Sequence, residues 1–417
     1  MTVAGPAPST RIVSEGPTGR VMLIGPLPPP YGGTEAMTEL LRRGSYGGHF
    51  ELTFFDSSKA LRNDERGHLR PKNVWLNLAK LATFVRALRE VRPNVVWLPL
   101  AQNLMGFLRD SAYVVLARAA GARVVLHFHG ATFDRFYEHR GPVLRAYVRA
   151  VLKTTAAVIV PGDQLHEQFA TIAPRLRRFT LYSALAADRY SELSQESQKD
   201  ESTFDIVFVG HVSQAKGAPD LIQAAAKART RIPHMRVDLV GQVIEHDTNT
   251  DFLPRGQPSP LGPRTLAEAV GVSEILTFRG AVPVGEVSEY LRRADLFVSP
   301  SYSEGFSVAM LEAMAAGLPL VLTRVGAAPE VLAPDVNCIF VEPGAPDQLA
   351  AAIVRLAGDA DLRGRMGAEN RELVASRFLE IHLQQGFARV ASSLLPQLES
   401  AGQGARGATD KRFPGRT

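Results

Sequence analysis

Residues 296–322 read LFVSPSYSEGFSVAMLEAMAAGLPLVL, and the hydrophobic pattern changes character twice along them. Residues 296–299 are an apolar run of strand length, 307–316 are apolar on every side but one, and 319–322 are strand-like again. That order predicts a strand, a short helix packed on all sides, and a second strand parallel to the first. Gly317 is placed to cap the helix, and Pro319 keeps it from continuing. The exception inside the helix is Glu312. A carboxylate there is costly unless hydrogen-bond donors meet it, and no basic residue stands at helical spacing to do so. The paired hydroxyls of a ribose would satisfy both oxygens. Glu304, just before Gly305, lies in the loop ahead of the same helix, beside its electropositive N-terminus and in reach of sugar hydroxyls. Plain solvation or ion pairing of the two carboxylates is the structural alternative.

The same alternation runs through the chain. Strands are expected at 21–24, 52–55, 95–98, 124–127 and 157–160, then at 206–209, 237–240, 276–279, 296–299, 319–322 and 339–341, with helix-length segments between them. Such a pattern builds parallel sheets from βαβ units. The polar stretch 191–203, SELSQESQKDEST, separates the two sets and reads as a linker. The expected architecture is therefore α/β, with two Rossmann-like doubly wound domains over 18–190 and 204–376 facing each other across a cleft, and a helical pattern over 377–398. Residues 1–17 and 399–417 are rich in Gly, Pro, Ser and Arg without periodicity and read as disordered tails. Ligands of open α/β sheets bind beyond the carboxyl ends of the strands, so the informative residues belong just after them.

After the first strand comes GPLPPPYGG, ending at Gly32 and Gly33, then Thr34 as N-cap of a helix. The glycines permit positive φ and let backbone amides approach a phosphate, although an ordinary tight turn reads the same way. After the fourth strand stand His127, Phe128, His129 and Gly130; alternation sets both histidines on one side, as cleft residues or as satisfied core ones. The second half opens with a strand, then Gly210, His211, Lys216 and Gly217 ahead of a helix. A lysine at a helix entrance either neutralises a phosphate or is a solvated loop cation.

At 417 residues, 45% hydrophobic and 21% charged, the composition is that of two or three globular domains and excludes disorder throughout. The single cysteine, Cys338, forms no internal disulfide and no cysteine zinc cage. The chain shows neither an apolar run of spanning length nor a signal-peptide segment over 1–20, so a cytoplasmic, non-integral protein is expected. Residues 1–200 hold 26 Lys and Arg against 17 Asp and Glu, or +9, and the remainder 21 against 25, or −4. The basic half attracts anions: phospholipid head groups, nucleic acid or acidic substrates.

Taken together, these segments resemble the retaining GT-B glycosyltransferases, specifically the family four group that uses nucleotide-diphosphate sugars, over residues from about 20 to 398. The resemblance rests on the Gly32-Gly33 loop, the Phe128-His129-Gly130 strand end, residues 210–217, and above all Glu304 and Glu312 separated by seven residues and followed by AMAAGLP. It implies a catalytic set of His129, Glu304 and Lys216. In the donor site Glu312 would bind the ribose and Glu304 the sugar, while Gly305, Phe306 and Ser307 would offer sugar and phosphate contacts, the last two through backbone amides. Gly32 and Gly33 would approach the diphosphate from the other domain, Lys216 would neutralise it, and His129 would sit over the sugar near its reactive carbon. Arg279 to Val282 would hold the base edge. Family members commonly carry Arg where His211 stands, which removes a permanent guanidinium from the phosphate site. The last helix of this fold crosses back onto the first domain. Neither cofactor nor metal is implied; Asp359-Ala-Asp361 reads as a solvated turn, and His166-Glu167 lacks the second zinc histidine because Ala170 stands there.

The first domain of this fold binds the acceptor, here expected to be a lipid-linked or cell-surface glycan precursor. Residues 72–92 form an amphipathic pattern, with Trp75, Leu78, Leu81, Ala82, Val85 and Leu88 apolar and Lys80, Arg86, Arg89 and Arg92 basic. Such a helix either lies on an anionic membrane surface, making the enzyme peripheral at the inner face of the cell membrane, or covers a sheet. The long 243–263 connection reads as a lid or as filler. Competing functions are a nucleotide-sugar epimerase of the same fold and a non-catalytic nucleotide-sugar-binding protein. A nicotinamide dehydrogenase lacks its glycine fingerprint here, and nucleic-acid binding has charge alone in its favour.

Overall fold

The computed structural model describes residues 19–29, 32–58, 71–195, 197, 199–245, 259 and 261–395, with only the backbone described over 71–78. The expected tails 1–17 and 399–417 and most of the 243–263 connection lie outside these residues. The first half runs β1 (Arg20–Gly25), α1 (Gly33–Arg43), β2 (Glu51–Asp56), α2 (Pro71–Val91), β3 (Val95–Pro99), α3 (Leu104–Ala119), β4 (Arg123–His127), α4 (Phe133–Glu138), α5 (Pro142–Thr154), β5 (Ala157–Val160), a 3-10 helix (Asp163–Phe169) and β6 (Arg178–Thr180). The second runs α6 (Ala187–Leu193), β7 (Phe204–Val209), α7 (Ala218–Ala228), β8 (Met235–Val240), α8 (Pro263–Ala269), β9 (Leu276–Gly280), α9 (Val284–Arg293), β10 (Leu296–Ser299), α10 (Val308–Ala315), β11 (Leu320–Thr323), α11 (Ala328–Val331), β12 (Cys338–Val341), α12 (Pro346–Ala357), α13 (Ala360–Arg377) and α14 (Glu380–Ser393).

Each half builds a six-stranded parallel sheet, ordered β2-β1-β3-β4-β5-β6 and β12-β11-β10-β7-β8-β9. Both sheets are buried on both faces, which is why their strands read as continuous apolar runs. On β1, Met22 and Ile24 pack with Phe84 and Phe107, while Val21 and Leu23 face Trp97 and Phe387 on the other side. Every expected strand forms. The edge strand β6, a three-residue half-buried run, carries too little pattern to be read from sequence.

Phe387 belongs to α14, which returns to the first sheet and sets its ring edge-on to Trp97, with centroids 4.6 Å apart. Where the chain first crosses, Leu185 donates its N–H to Phe378 O at 2.8 Å, and Glu380 N–H donates back to Leu185 O at 2.9 Å. The outward and returning segments thus pair as a two-stranded joint between the halves. This joint precedes the 191–203 stretch, whose first residues complete α6 and bury Leu193.

Three local expectations are corrected. Helix α1 starts at Gly33 with Gly32 as N-cap, not Thr34, and Gly32 is extended at φ −134° rather than left-handed. Helix α10 is capped at its C-terminus by Ala316, and Gly317, at φ +73°, makes the left-handed turn one residue later. On α2 the inward face is Leu81, Phe84, Leu88 and Val91, whereas Ala82 is exposed. From Leu81 onward this apolar stripe covers the sheet, and Lys80 Nζ donates to Asp56 O at 2.9 Å. Among the described residues no helix is long and apolar enough to cross a membrane.

Candidate functional site

Strand order reverses between β7 and β10, so the loops after these two strands flank the crevice of the second sheet. They are locked backbone to backbone. Gly217 caps α7 in the left-handed region at φ +70°, and a Cβ there would fall 2.0 Å from Pro300 O. Tyr302 N–H donates to Ala215 O at 3.0 Å. This contact brings Lys216 onto Glu304, where Nζ and Oε1 form a close ion pair. Ser301 Oγ donates to the same oxygen at 3.2 Å.

Past Glu304 the chain turns into α10. Ser307 Oγ caps the helix by accepting from Met310 N–H at 3.3 Å, and Ser183 Oγ, from the crossing segment, donates to Phe306 O at 2.9 Å. The start of α10 meets the start of α1 across the cleft, since a Cβ on Gly33 would lie 3.9 Å from Val308 Cγ2. Two helix N-termini and Lys216 therefore converge, an arrangement that attracts an anion. Gly305 comes closer still to the first sheet: a Cβ on it would fall 2.0 Å from His129 O.

His127 and His129 lie with ring centroids 4.1 Å apart. His127 is the packed member, 3% exposed and accepting from Trp97 Nε1–H at 3.4 Å through Nδ1. Burial lowers the His129 pKa to about 4, and burial together with its neighbour holds His127 well below the usual imidazole range. Both rings are neutral at pH 7. His129 offers the cleft one N–H donor and one acceptor nitrogen without charge.

Glu312 is met by a partner that the sequence reading did not supply: Arg189 of α6, whose Nε donates to Oε1 at 2.8 Å. The side chains are 13% and 11% exposed. Burial raises the Glu312 pKa and the guanidinium opposes that rise. Arg189 was hidden because it stands in another element, 123 residues away. A second unforeseen group is Glu330 on α11, which accepts from Asp163 N–H at 2.8 Å, Gln164 N–H at 3.0 Å and Tyr182 OH at 2.7 Å, tying the second half to the first.

Other sequence candidates fall outside this convergence or at its edge. Arg279 lies within β9 and is committed to Asp238 Oδ1 at 2.7 Å, with its guanidinium over the Tyr290 ring. Val282 is half-buried against the second core. Its loop follows Gly280, whose carbonyl accepts from Gly241 N–H at 2.8 Å, while a Cβ on Gly241 would fall 1.8 Å from Gly210 O. His211 is exposed just after Gly210. Asp359 is exposed in the turn between α12 and α13, as expected, and there caps α13 by accepting from Leu362 N–H at 2.8 Å. Among the described residues no three His, Cys, Asp or Glu side chains group as a metal site.

The model of the "Glycosyl transferase 4-like domain" matches residues 34–184, and that of "Glycosyl transferases group 1" matches 190–373. D-inositol 3-phosphate glycosyltransferases from Thermobifida fusca and Segniliparus rotundus are 30% and 31% identical over 168 residues, 40% of this chain in each case. The matches cover 38% and 35% of those proteins, so the chain spans well under half the length of the curated relatives it matches. Among solved structures, Anabaena Alr3699/HepE in complex with UDP gives a TM-score of 0.63 at 18% identity, covering 90% of this chain and 100% of that one. Sucrose-phosphate synthase from Thermosynechococcus elongatus gives 0.66 at 17%, covering 90% and 99%. One family model stops just before the joint's outward segment ends and the other begins beyond it, together taking in both sheets and both sets of strand ends, and the chain belongs to the GT-B glycosyltransferases of the family four type.

Proposed function

We propose that this protein moves a sugar from a nucleotide-diphosphate sugar to an acceptor with retention of anomeric configuration. The observation that carries the reading is the meeting of the α1 and α10 N-termini, with Lys216 held on Glu304 and Gly305 packed against the His129 carbonyl. A diphosphate in that place is stabilised by helix amides and a lysine as it departs, which is the largest single contribution expected in such chemistry. Glu312 accepts from the ribose hydroxyls, Glu304 from the sugar, and neutral His129 hydrogen-bonds the sugar near its reactive carbon. The acceptor approaches on the face from which the diphosphate leaves. Anabaena Alr3699/HepE forms complexes with UDP and with UDP-glucose, which supports a nucleotide-sugar donor here. The reading needs no cofactor beyond the donor, and dialysis against a chelator is expected to leave turnover unchanged.

An acceptor with an anionic, lipid-linked head group suits the first half. There Leu108, Val143 and Tyr147 form an exposed apolar patch, 41%, 84% and 37% accessible, with Arg145 and Arg149 on the same helix as the last two. The test is binding and hydrolysis of UDP-, GDP-, ADP- and dTDP-sugars by wild type, Glu312→Ala and Lys216→Ala. Selective use of one donor, lost in both variants, supports the reading; absence of binding to every donor overturns it. Vesicles containing anionic lipid, offered at low salt, test the acceptor side: failure to bind them removes the membrane-associated form of the proposal.

A further inference from the structure

Arg189 is used on every arm. Nε donates to Glu312 Oε1 at 2.8 Å, Nη1 donates to Glu192 Oε2 at 3.0 Å and to Ser288 Oγ, and Nη2 donates to Val284 O at 2.9 Å. Its guanidinium therefore joins three elements: α6, which carries it just after the joint at Leu185; α10, through Glu312; and the first residue of α9, two positions beyond Val282. Among the described residues Glu312 accepts from nothing else, so one oxygen is fixed by Arg189 and the other is left to a ligand.

We propose that Arg189 is a positioning residue of the donor site, fixing the Glu312 carboxylate for the ribose and tying it to the start of α9. The inference rests on the reading of Glu312 as the ribose-binding group. A planar fork holds a carboxylate in one orientation, which an ammonium cannot do. The charge matters as well. The charged groups around Glu312 are Arg189 and Glu192 on α6 and, facing Glu192, Arg292 on α9; Arg371 on α13 is turned to Ala316 O. With Arg189 replaced by a neutral residue, a carboxylate that burial already disfavours loses the cation that opposes the rise and keeps Glu192 beside it, so its pKa rises further.

The experiment is calorimetric binding of UDP, GDP, ADP and dTDP between pH 5.5 and 8.5 to wild type, Arg189→Gln, Arg189→Lys and Glu312→Gln, together with the double variant. Thermal melting verifies folding, and Arg189→Lys carries the test if the glutamine variant does not fold. Arg189→Gln is expected to lose about tenfold or more in affinity, with the loss larger toward the acid end of that range, where a carboxylate of raised pKa is more readily protonated. Arg189→Lys is expected to bind more weakly than wild type at every pH, without that slope. In the Glu312→Gln background, Arg189→Gln is expected to add little. Unchanged binding in both Arg189 variants, or losses that simply add in the double variant, overturns the proposal while the donor reading stands. Wild type that binds none of the four nucleotides overturns both.

Discussion

Where β10 ends, the chain places opposite charges in contact: Lys216 with Glu304, and beyond it Arg189 with Glu312. Where β4 ends, the side chains are two imidazoles that burial keeps neutral, His127 packed on Trp97 and His129 beyond it at the strand end. The two strand-end regions touch through backbone, Gly305 against His129 O. The difference teaches a division of labour. A site for a multiply charged leaving group needs cations held in advance by counter-charges, whereas a site for a neutral sugar ring needs shape and uncharged hydrogen bonds. Breaking one side should therefore alter charge stabilisation, and breaking the other should alter fit.

The largest effect is expected from Lys216→Ala. It removes the cation that the proposed function sets beside the diphosphate and strands Glu304, and turnover should fall about 100- to 1000-fold. Steady-state kinetics should show the loss chiefly in kcat. Adding Glu304→Gln should return part of the nucleotide affinity by relieving the unpaired carboxylate, though not the turnover. If donor turnover in Lys216→Ala stays within a few-fold of wild type, the charged side of the comparison is wrong.

Gly305→Ala breaks the contact between the two regions. The added methyl would sit 2.0 Å from a backbone oxygen, and neither backbone can yield cheaply. The cleft is expected to open by enough to cost about 100-fold in turnover, with a smaller loss in nucleotide affinity, because the diphosphate contacts on the second half remain. Equal losses in both would mean that Gly305 shapes the donor pocket alone.

His129→Ala acts on the neutral side. Losing one uncharged hydrogen bond to the sugar should reduce kcat about tenfold, with nucleoside-diphosphate binding unaltered in calorimetry. A comparable loss of nucleotide affinity would place the ring against the phosphates instead.

The two regions also differ in how much of them could be read before folding. The strands were legible because each is apolar on both faces, and Glu304 and Glu312 stood out as carboxylates around an apolar helix. The partner of Glu312 was not legible, since Arg189 and Glu312 are separated by 123 residues and meet only when α6 docks. Glu330 was missed for a related reason: besides the Tyr182 hydroxyl, its partners are backbone amides of the other half, and amides leave no mark in a sequence. Arg279, which the resemblance puts with Val282 at the base edge, has its own partner in neighbouring Asp238 on β8, again a pairing that only folding brings about. Alternation put both histidines on one side but could not separate the core ring from the cleft ring; contact with Trp97 does that. The sheet-covering face of α2 was misassigned by one position, because Phe84 rather than Val85 is the fully buried residue.

The smallest expected effect concerns stability. Folding lowers the pKa of His129 from the ordinary 6.5 to about 4, and His127 shifts in the same direction. Between those values the unfolded chain binds more protons than the folded one, so the stabilisation from a neutral ring is complete above about pH 6.5 and is lost as pH falls toward 4. Denaturant unfolding between pH 4.5 and 7.5 should therefore show stability rising with pH and levelling off near neutrality. His129→Gln should flatten that slope without abolishing it, because His127 keeps its own share. The same shift sets the kinetic expectation: with His129 neutral throughout, turnover should show no limb near pH 6.5 that the glutamine variant removes. Such a limb would mean the ring carries charge in the working enzyme, and the contrast between a charged donor side and a neutral sugar side would then fail at the residue that defines it.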